Sequence, residues 1–386
     1  MKREHFNTEQ QKHLAATIDG SLAFIPPPLP PNLDLGDLAL SLAAASNAIG
    51  ELKGAARRLQ NPYMLIGPLV RREALTSSAM EGTITTLGEL MLEEANEDAP
   101  RSDDARETSN YIRAVQDATS KLPSLPISHR LIKEAHAILL SGLSPARGAG
   151  KRPGQYKIHQ NAIGTHGDNV KSARYVPPPP AASENCMDQL EAYINRADAD
   201  PARRLIDLAL IHYQFEAIHP FDDGNGRIGR MIVTLAAQQN QLLDLPLLHI
   251  SSFLETRKEI YTEKLFKVST HAEWNDWIIF FLGAVEASCI GAIQIVDAIL
   301  KLQTEMRLRT KNEKRHARLI MIIDSLFSKW WTSASEVQVT CQTTFPTAQS
   351  DLQALVKLDI LKEVQGGKTK LYFSPDILAL SDRSLQ

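Results

Sequence analysis

The sequence predicts an all-α protein that carries one small β-hairpin flap and ends in a small domain of three helices and a hairpin. Three observations lead to this prediction. Apolar residues recur at helical spacing through most of the chain. The helical pattern stops at 143–180, where glycines and prolines accumulate. Near the end of the chain, short helical patterns precede two extended runs that flank Gly366 and Gly367.

The composition is that of an ordinary globular protein. The chain has 386 residues, of which 43% are hydrophobic and 23% charged, and this length suits two or three domains. A formal net charge of -3 gives no overall basic excess of the kind that nucleic-acid-binding proteins show. The three cysteines are far apart and odd in number, so they predict neither a disulfide framework nor a metal site. They fit a reducing compartment.

Neither a targeting segment nor a membrane span is expected. Met1 to His5 precede no apolar run of the kind that a signal peptide needs. No stretch is expected to reach the ~18–20 apolar residues of a membrane span. The sequence therefore predicts a cytoplasmic protein with no membrane partner.

The first part of the chain is predicted to be extended or loosely attached up to about residue 35. The run 26–31 contains five prolines, which remove amide donors and favour a polyproline II connector. Helical patterns follow at about 36–60, 64–97, 104–121 and 127–142. The break at 143–180 predicts an exposed flap with strand candidates at 156–158 and 175–176, which ends at the prolines 177–180.

Helical patterns resume after the flap. They are found at about 183–197, 201–218, 225–240, 252–268 and 274–312. In the second of these, Leu208, Ile211 and Phe215 fall on one face, as a core helix requires. The last part of the chain has helical patterns at about 315–330, 333–341 and 346–358, and extended runs at 360–364 and 370–373. Three helices followed by a hairpin resemble a winged helix.

The most informative segment, 219–230, lies between two helical patterns. Its sequence is His219-Pro220-Phe221-Asp222-Asp223-Gly224-Asn225-Gly226-Arg227-Ile228-Gly229-Arg230. A loop that leads into a helix favours anions, because free amides and the positive end of the helix dipole point at whatever binds there. Gly224 and Gly226 allow close approach and positive φ, which predicts a nest for phosphate oxygens.

The side chains of this segment complete a predicted nucleotide site. Asp223 is a hard oxygen ligand that suits Mg²⁺. Arg227 and Arg230, three residues apart, can neutralise phosphate charge. His219 precedes the nest and is the candidate general base. Each feature alone is more often structural, but their concurrence within twelve residues predicts a catalytic site.

The segment matches the signature His-x-Phe-x-Asp/Glu-Gly-Asn-Gly-Arg-x-x-Arg at every fixed position, and the chain therefore resembles the Fic family. The proline run, the flap, the core helices and the winged-helix-like tail are also similar to a common bacterial Fic architecture. The resemblance implies that His219 is the catalytic base and Asp223 the Mg²⁺ ligand. It also implies a triphosphate site formed by Gly224, Asn225, Gly226, Arg227, Ile228, Gly229 and Arg230.

The resemblance also implies the reaction. Proteins of this kind are adenylyltransferases that transfer AMP from ATP to a Tyr, Thr or Ser hydroxyl of a protein, and self-modification is expected as well. Relatives that act as kinases depart from the signature at the glycines of the nest. Because Gly224 and Gly226 are both present, AMP transfer is favoured over phosphate transfer.

Two other functions stay open at this point. One is the removal of AMP from a modified protein, since an inhibitory glutamate can also position a water molecule. The other is a transcription regulator whose Fic core only senses nucleotide. The intact His219 argues against the second, because ATP binding alone requires no general base.

A second motif lies upstream, at 77–82, and reads Ser-Ser-Ala-Met-Glu-Gly. Ser77 and Glu81 are four residues apart and share a helix face, and Gly82 is a plausible helix stop. The motif resembles the family's inhibitory motif, which implies that Glu81 pairs with Arg230 and blocks the γ-phosphate site. On its own, so short a motif is more often a capped helix end with a solvated glutamate, and the full signature downstream is what favours the inhibitory interpretation.

The remaining expectations concern domains and partners. The resemblance predicts an N-terminal region at 1–110 with the connector and inhibitory helix, a Fic catalytic core at 111–312, and a winged-helix-like domain at 313–386. An unidentified target protein is expected to dock on the flap at 150–176 by strand addition, although an ordinary surface loop is the alternative. Tyr261 lies in a helix that resembles the one closing the family's adenine pocket, and core packing is the alternative there.

The C-terminal domain is expected to contact protein or to form a homodimer rather than to bind DNA. DNA-reading helices usually carry denser arginine and lysine than the helix that begins near Pro346. DNA binding is therefore a weaker expectation for this domain.

Overall fold

The computed structural model describes residues 1–95, 102–164, 170–197, 200, 203–366 and 369–382. Most of these residues are helical, as the sequence predicts, and the all-α fold class with a small antiparallel hairpin is confirmed. The chain divides into two compact units, each built from two stretches. One unit comprises Met1–Ile49 and Asn110–Ser288, and the other comprises Gly50–Ser109 and Cys289–Gln386. The predicted division at 110 and 312 stays a prediction.

The helices and strands are numbered in the order in which they occur along the chain. The helices are α1 (Ala39–Ala56), α2 (Ile66–Met80), α3 (Leu87–Ala95), α4 (Asp103–Lys121), α5 (His129–Leu139), α6 (Pro180–Ile194), α7 (Arg204–Ile218), α8 (Asn225–Gln239), α9 (Ser251–Glu255), α10 (Lys258–His271), α11 (Trp274–Thr310), α12 (His316–Ser328), α13 (Ala334–Thr340), α14 (Phe345–Lys357) and α15 (Pro375–Ala379). The strands are β1 (Leu14–Ala16), β2 (Leu22–Phe24), β3 (Trp331–Thr332), β4 (Lys362–Gly366) and β5 (Thr369–Phe373).

Two predicted helical stretches are each divided in the structure. The stretch 64–97 becomes α2 and α3, because Gly82 adopts a left-handed φ of 86° and the amide of Thr83 bonds back to the carbonyl of Ser78. The stretch 252–268 becomes α9 and α10. Periodicity alone did not resolve either break.

The N-terminal region is attached more firmly than the sequence predicts. Strands β1 and β2 form an antiparallel hairpin, in which Leu14 lies opposite Phe24. The buried Phe6 stacks on Phe24 with ring centroids 5.6 Å apart, and the amide of Asn7 donates to the carbonyl of Thr270 at 2.9 Å. The expectation of a loosely attached segment was therefore wrong, because the aromatic side chains of Phe6 and Phe24 are buried in the protein.

The flap is less regular than a hairpin of two strands. Among its described residues, antiparallel pairing consists of one bridge, between Ile163 and Tyr175. The strand expected at 156–158 is not formed. The amide of Lys157 donates instead to the carbonyl of Pro220 at 2.8 Å. The flap residues 165–169 lie outside the described part of the chain.

The C-terminal region follows the predicted order of helices and hairpin. Strands β4 and β5 pair antiparallel, with Lys362 opposite Phe373, and the short β3 extends the sheet in the order β3-β5-β4. Asp351 of α14 is fully buried and accepts bonds from Arg315 and Arg318. The sequence α12-β3-α13-α14-β4-β5 fits the winged-helix interpretation, which stays a prediction.

The apolar content of α11 was underestimated from the sequence. This helix contains an 18-residue window with a mean hydropathy of 2.0, which is long and apolar enough to cross a membrane by those two criteria. Core helices of soluble proteins pass the same test. In α11, 44% of the window is buried in the protein, and Trp277, Phe281 and Val285 are core residues.

Helices α7 and α8 form the centre of the first unit, and a glycine lets them approach closely. A Cβ atom at Gly229 would lie 2.1 Å from Oε1 of Glu216 and 3.1 Å from the ring of Phe215, which is fully buried. The close packing of α7 side chains against α8 therefore favours a glycine at this point.

The packing at Gly229 predicts a stability difference between two helical glycines. Gly229→Ala should lower the free energy of unfolding by about 1–3 kcal/mol, because the added methyl group must displace Glu216 or Phe215. Gly291→Ala in α11 is the matched control, because its Cβ would meet no atom within 4 Å. Urea denaturation without nucleotide measures both variants. A Gly229→Ala protein as stable as the control would show that the approach is not tight.

Candidate active site

The segment between α7 and α8 contains the signature loop, 219–224. Helix α7 ends at Ile218, and His219 follows in a left-handed conformation with φ 48° and ψ 61°. Its amide donates to the carbonyl of Phe215 at 3.0 Å. A left-handed conformation costs a residue other than glycine about 1–2 kcal/mol, so other contacts must hold the turn. The His219 residue remains partly exposed.

Phe221 anchors the loop in the core. Its side chain is fully buried and stacks on the ring of His136, with centroids 3.8 Å apart and an interplanar angle of 11°. The side chain of Asn225 closes the loop, because Oδ1 accepts from the amide of Phe221 at 2.9 Å and Nδ2 donates to its carbonyl at 2.8 Å. The side chain of Asn225 therefore shapes the loop, and its predicted contact with nucleotide can come from its backbone.

The glycines of the predicted nest have different roles. Gly224 precedes α8 with φ 76°, which confirms the positive φ expected there. A Cβ atom at this position would lie 3.1 Å from Leu139, on the side of the protein core. Gly226 is a residue of α8 and is helical, so the positive φ predicted for it was wrong. Its amide belongs to the first helical turn, which has no intrahelical acceptors.

Asp223 and Arg227 lie beside the nest with very different exposure. Oδ1 of Asp223 accepts from the amide of Gly224 at 2.6 Å and lies 3.6 Å from Nη2 of Arg227. The side chain of Asp223 is 40% exposed, whereas that of Arg227 is 2% exposed. Arg230 is equally buried, as is Ile228. Whether these arginines hold phosphate stays a prediction.

The donor set suits Mg²⁺ only if the substrate supplies most of the ligands. Within the described ranges, no three His, Cys, Asp or Glu residues come together as a metal site. Mg²⁺ usually takes one or two carboxylates together with substrate phosphates and water. The exposed carboxylate of Asp223 beside the nest fits that pattern.

His136 of α5 has a role in the site that the sequence did not reveal. Its Nδ1 accepts from the amide of Gly154 at 2.9 Å, so the proton is on Nε2, which donates to the carbonyl of Asp223 at 3.0 Å. His136 thus connects the start of the flap to the signature loop. A histidine on the apolar face of a helix gives no local signal for this role, because its partners are distant in the chain.

Tyr261 is packed in the core, which is the alternative that the sequence left open. Its hydroxyl bonds to Nε2 of His212 at 2.9 Å, and Nδ1 of His212 lies 3.2 Å from the carbonyl of Gly229. Because a carbonyl only accepts, Nδ1 carries the proton and Nε2 accepts from the tyrosine. Tyr261 is 5% exposed. The nucleotide-binding role of Tyr261 stays a prediction.

Ser77 and Glu81 belong to the other compact unit. Ser77 is fully buried in α2, and Glu81 is an exposed residue directly after the helix. The helix stop predicted at Gly82 is confirmed by its left-handed φ of 86°. The pairing of Glu81 with Arg230 stays a prediction.

Two family models match this chain, and several known proteins are similar to it. A family model described as "Fic/DOC family" matches residues 126–237, and one described as "Fic/DOC family N-terminal" matches residues 39–120. A probable protein adenylyltransferase of Aquifex aeolicus is 31% identical over 91 residues, which are 23% of this chain and 28% of that protein. The protein adenylyltransferase Fic of Drosophila virilis is 30% identical over 114 residues, 30% of this chain and 21% of that protein. The chain thus covers less than a third of these relatives.

Two solved structures share the fold. A crystal structure of a Fic family protein from Desulfovibrio desulfuricans has a TM-score of 0.56 and 20% sequence identity, and the match covers 90% of this chain and 98% of that one. A Fic domain-containing signalling protein from Bacteroides thetaiotaomicron has a TM-score of 0.50 and 20% identity, over 65% of this chain and 97% of that one.

The buried histidines of this site predict a loss of stability in acid. Burial lowers the pKa of His136 to about 4 and that of His212 to about 3. Below pH ~6.5 the unfolded chain binds protons that the folded chain does not. The stability that the neutral rings contribute is therefore complete above pH ~6.5 and is lost progressively as the pH falls from there towards the folded pKa values of about 4 and 3.

The free energy of unfolding, measured by urea denaturation between about pH 7 and pH 5, tests this linkage. Each histidine should add up to ~1.4 kcal/mol per pH unit to the slope. His212→Gln should have a shallower slope than the wild type, whereas the exposed control His271→Gln should keep the wild-type slope. Equal slopes for all three proteins would contradict the assignment.

Proposed function

We propose that this chain, which belongs to the Fic family, is a protein adenylyltransferase that transfers AMP from ATP to a Tyr, Thr or Ser hydroxyl of a protein. One observation carries the proposal. The complete signature is folded as a loop that presents a partly exposed histidine, an exposed carboxylate and a nest at the start of a helix. The relatives named as protein adenylyltransferases support the same reaction at the level of the family.

The proposed chemistry is an in-line displacement at the α-phosphorus of ATP. His219 takes the proton from the incoming hydroxyl, whose oxygen forms a bond to the α-phosphorus. The bond between the α-phosphorus and the bridging oxygen breaks, and pyrophosphate leaves with that oxygen. The first-turn amides of α8 and the positive end of its dipole stabilise the phosphate charge. A positioned base typically contributes ~10²–10⁴-fold to such a rate.

Asp223 is the residue that we propose to hold Mg²⁺. Its side chain is exposed enough to reach a ligand, and Gly224 fixes one of its oxygens. When bound, Mg²⁺ would neutralise part of the phosphate charge and orient the leaving group. The other carboxylate of the loop, Asp222, is also partly exposed.

The preference for AMP transfer rests on the presence of both signature glycines, Gly224 and Gly226, and the structure explains the need for the first of them. A glycine is favoured at position 224 for two reasons. Its φ of 76° is left-handed, which residues with a side chain rarely adopt, and a Cβ atom there would lie only 3.1 Å from Leu139. A larger residue would change the backbone on which the nest depends. The physical role of Gly224 is thus to fix the backbone path, and a Cβ there would point into the core.

We further propose that Glu81 inhibits the enzyme by competing for Arg230. Glu81 is an exposed carboxylate directly after α2, and Arg230 is a buried guanidinium on α8, where a charge partner has a large effect. A carboxylate at Arg230 would place negative charge where the γ-phosphate must bind. The same glutamate could orient a water molecule for AMP removal.

The role of His219 predicts a loss of chemistry without a loss of binding. His219→Ala should lower AMP transfer by ~10²–10⁴-fold, whereas its affinity for ATP should change little. The control His271→Ala removes an exposed histidine and should keep the wild-type rate. Incorporation of α-labelled ATP into protein measures the rate, and calorimetry measures the affinity. An unchanged rate in His219→Ala would remove this histidine from the mechanism.

The role of Glu81 predicts a gain of activity. Glu81→Gly should raise AMP incorporation by about 5–150-fold, the range of a coupling energy of 1–3 kcal/mol. Glu81→Gln keeps the size of the side chain and removes its charge, so it should show most of the gain. Arg230→Ala should incorporate AMP more slowly than the wild type, because the phosphate contact is lost along with the inhibition. The double variant with Glu81→Gly should incorporate AMP as slowly as Arg230→Ala alone. A double variant as active as Glu81→Gly would contradict the pairing.

A further inference from the structure

We infer that Lys157 of the flap is a positioning residue for AMP transfer, because its side chain fixes the turn that presents His219. The effect on catalysis rests on the proposed function. The effect on the turn follows from the geometry and can be tested by hydrogen exchange, without measuring enzymatic activity.

Lys157 is a buried lysine whose three N–H donors all have oxygen acceptors. Only 3% of the residue is exposed. Its Nζ donates to Oδ1 of Asn161 at 2.8 Å, to the carbonyl of His219 at 3.0 Å and to the carbonyl of Ile218 at 3.3 Å. An ammonium group has three donors and no acceptor, so the charged form matches this set of oxygens. A neutral amine has only two N–H groups and would leave one oxygen without its donor.

Together, Lys157 and Asn161 bind the carbonyl groups of four consecutive residues, 218–221. The Nζ of Lys157 donates to the carbonyls of Ile218 and His219. The backbone amide of Lys157 donates to the carbonyl of Pro220 at 2.8 Å. Nδ2 of Asn161 donates to the carbonyls of His219 and Phe221, both at 3.0 Å. Two flap residues therefore hold the carbonyl groups of the turn, while Asn225 closes the loop from the other side.

The position of the charge is favourable in one respect and costly in another. The carbonyl groups at the end of α7 lie at the negative end of the helix dipole and attract a cation. Burial opposes this attraction and lowers the pKa of Lys157 to about 7, while the carboxylate of Asp222 acts in the opposite direction.

Two titratable side chains act on the charge of Lys157, Asp222 of the signature loop and Cys186 of α6. The contact of Lys157 with His219 is to the backbone carbonyl. Burial raises the pKa of the Cys186 thiol to about 11, so this thiol stays neutral near pH 7. A rise in pH through about 7 thus removes a proton from Lys157 and with it the third donor.

The consequence for catalysis follows from the conformation of His219. Its left-handed backbone is unfavourable by itself, so the ring is presented correctly only while the carbonyl groups of the turn keep their donors. A displacement of about 1 Å in a catalytic group can cost ~10²-fold in rate. The residues that bind triphosphate lie beyond this turn, so ATP affinity should depend on Lys157 much less than the rate does.

Three variants of the full chain test the inference. Lys157→Met keeps the length of the side chain without its donors, Lys157→Arg keeps the charge at all working pH values, and Lys2→Met removes an exposed lysine as a control. Hydrogen exchange measures the protection of the amides in 218–225. Incorporation of α-labelled ATP measures the rate of AMP transfer, and calorimetry measures the affinity for ATP.

Lys157→Met should speed exchange in 218–225 and lower the transfer rate by ~10–10²-fold, with ATP affinity within about threefold of wild type. Between about pH 7 and pH 9, the wild type should lose activity relative to Lys157→Arg. Asn161→Ala should give a smaller change of the same kind, and it serves as the second test if the arginine does not fit.

Either of two results would overturn the inference. The amides of 218–225 in Lys157→Met could exchange as slowly as those of the wild type, or Lys157→Met could transfer AMP at the same rate as Lys2→Met. A failure of the proposed function looks different. The wild type would then incorporate no AMP, while Lys157→Met would still exchange faster in the turn.

Discussion

The structure of the site depends on one constraint: the chain must leave α7 through a left-handed turn at His219. That turn is unfavourable for a residue with a side chain, and the carbonyl groups that follow it cannot bond within a helix. The surrounding residues meet both demands. Lys157 and Asn161 bind the carbonyls from one side, and Asn225 closes the loop from the other. The loop is thus held by contacts within the protein, which is the preorganisation that the proposed chemistry requires.

The site also separates rigid groups from accessible ones. Phe221 and Asn225 are buried and hold the loop, whereas His219 and Asp223 keep part of their surface exposed. This division explains why the signature is long. Some of its positions keep exposed surface, and others, such as the buried phenylalanine, pack in the core and hold the loop. Gly229 belongs to the second kind, because its role is to let α7 and α8 approach.

The sequence was sufficient to predict the helical fold and the position of the loop before α8, because these follow from local periodicity and from one contiguous motif. It could not reveal Lys157 or His136. Their partners in the signature loop lie about sixty residues or more away in the chain, and a buried cation has no local pattern. The strand expected at 156–158 failed for the same reason, since the amide of Lys157 bonds to the signature loop instead of to a neighbouring strand.

The central claim is that this preformed loop directs attack to the α-phosphorus of ATP. The most direct test is to incubate the wild type with Mg²⁺, a protein mixture and ATP labelled either at the α- or at the γ-phosphate. The account predicts that protein bands, including the enzyme itself, acquire the α-label and no γ-label, and that mass spectrometry finds AMP on a hydroxyl side chain. Transfer of the γ-label alone would contradict it, because the loop would then direct phosphate transfer.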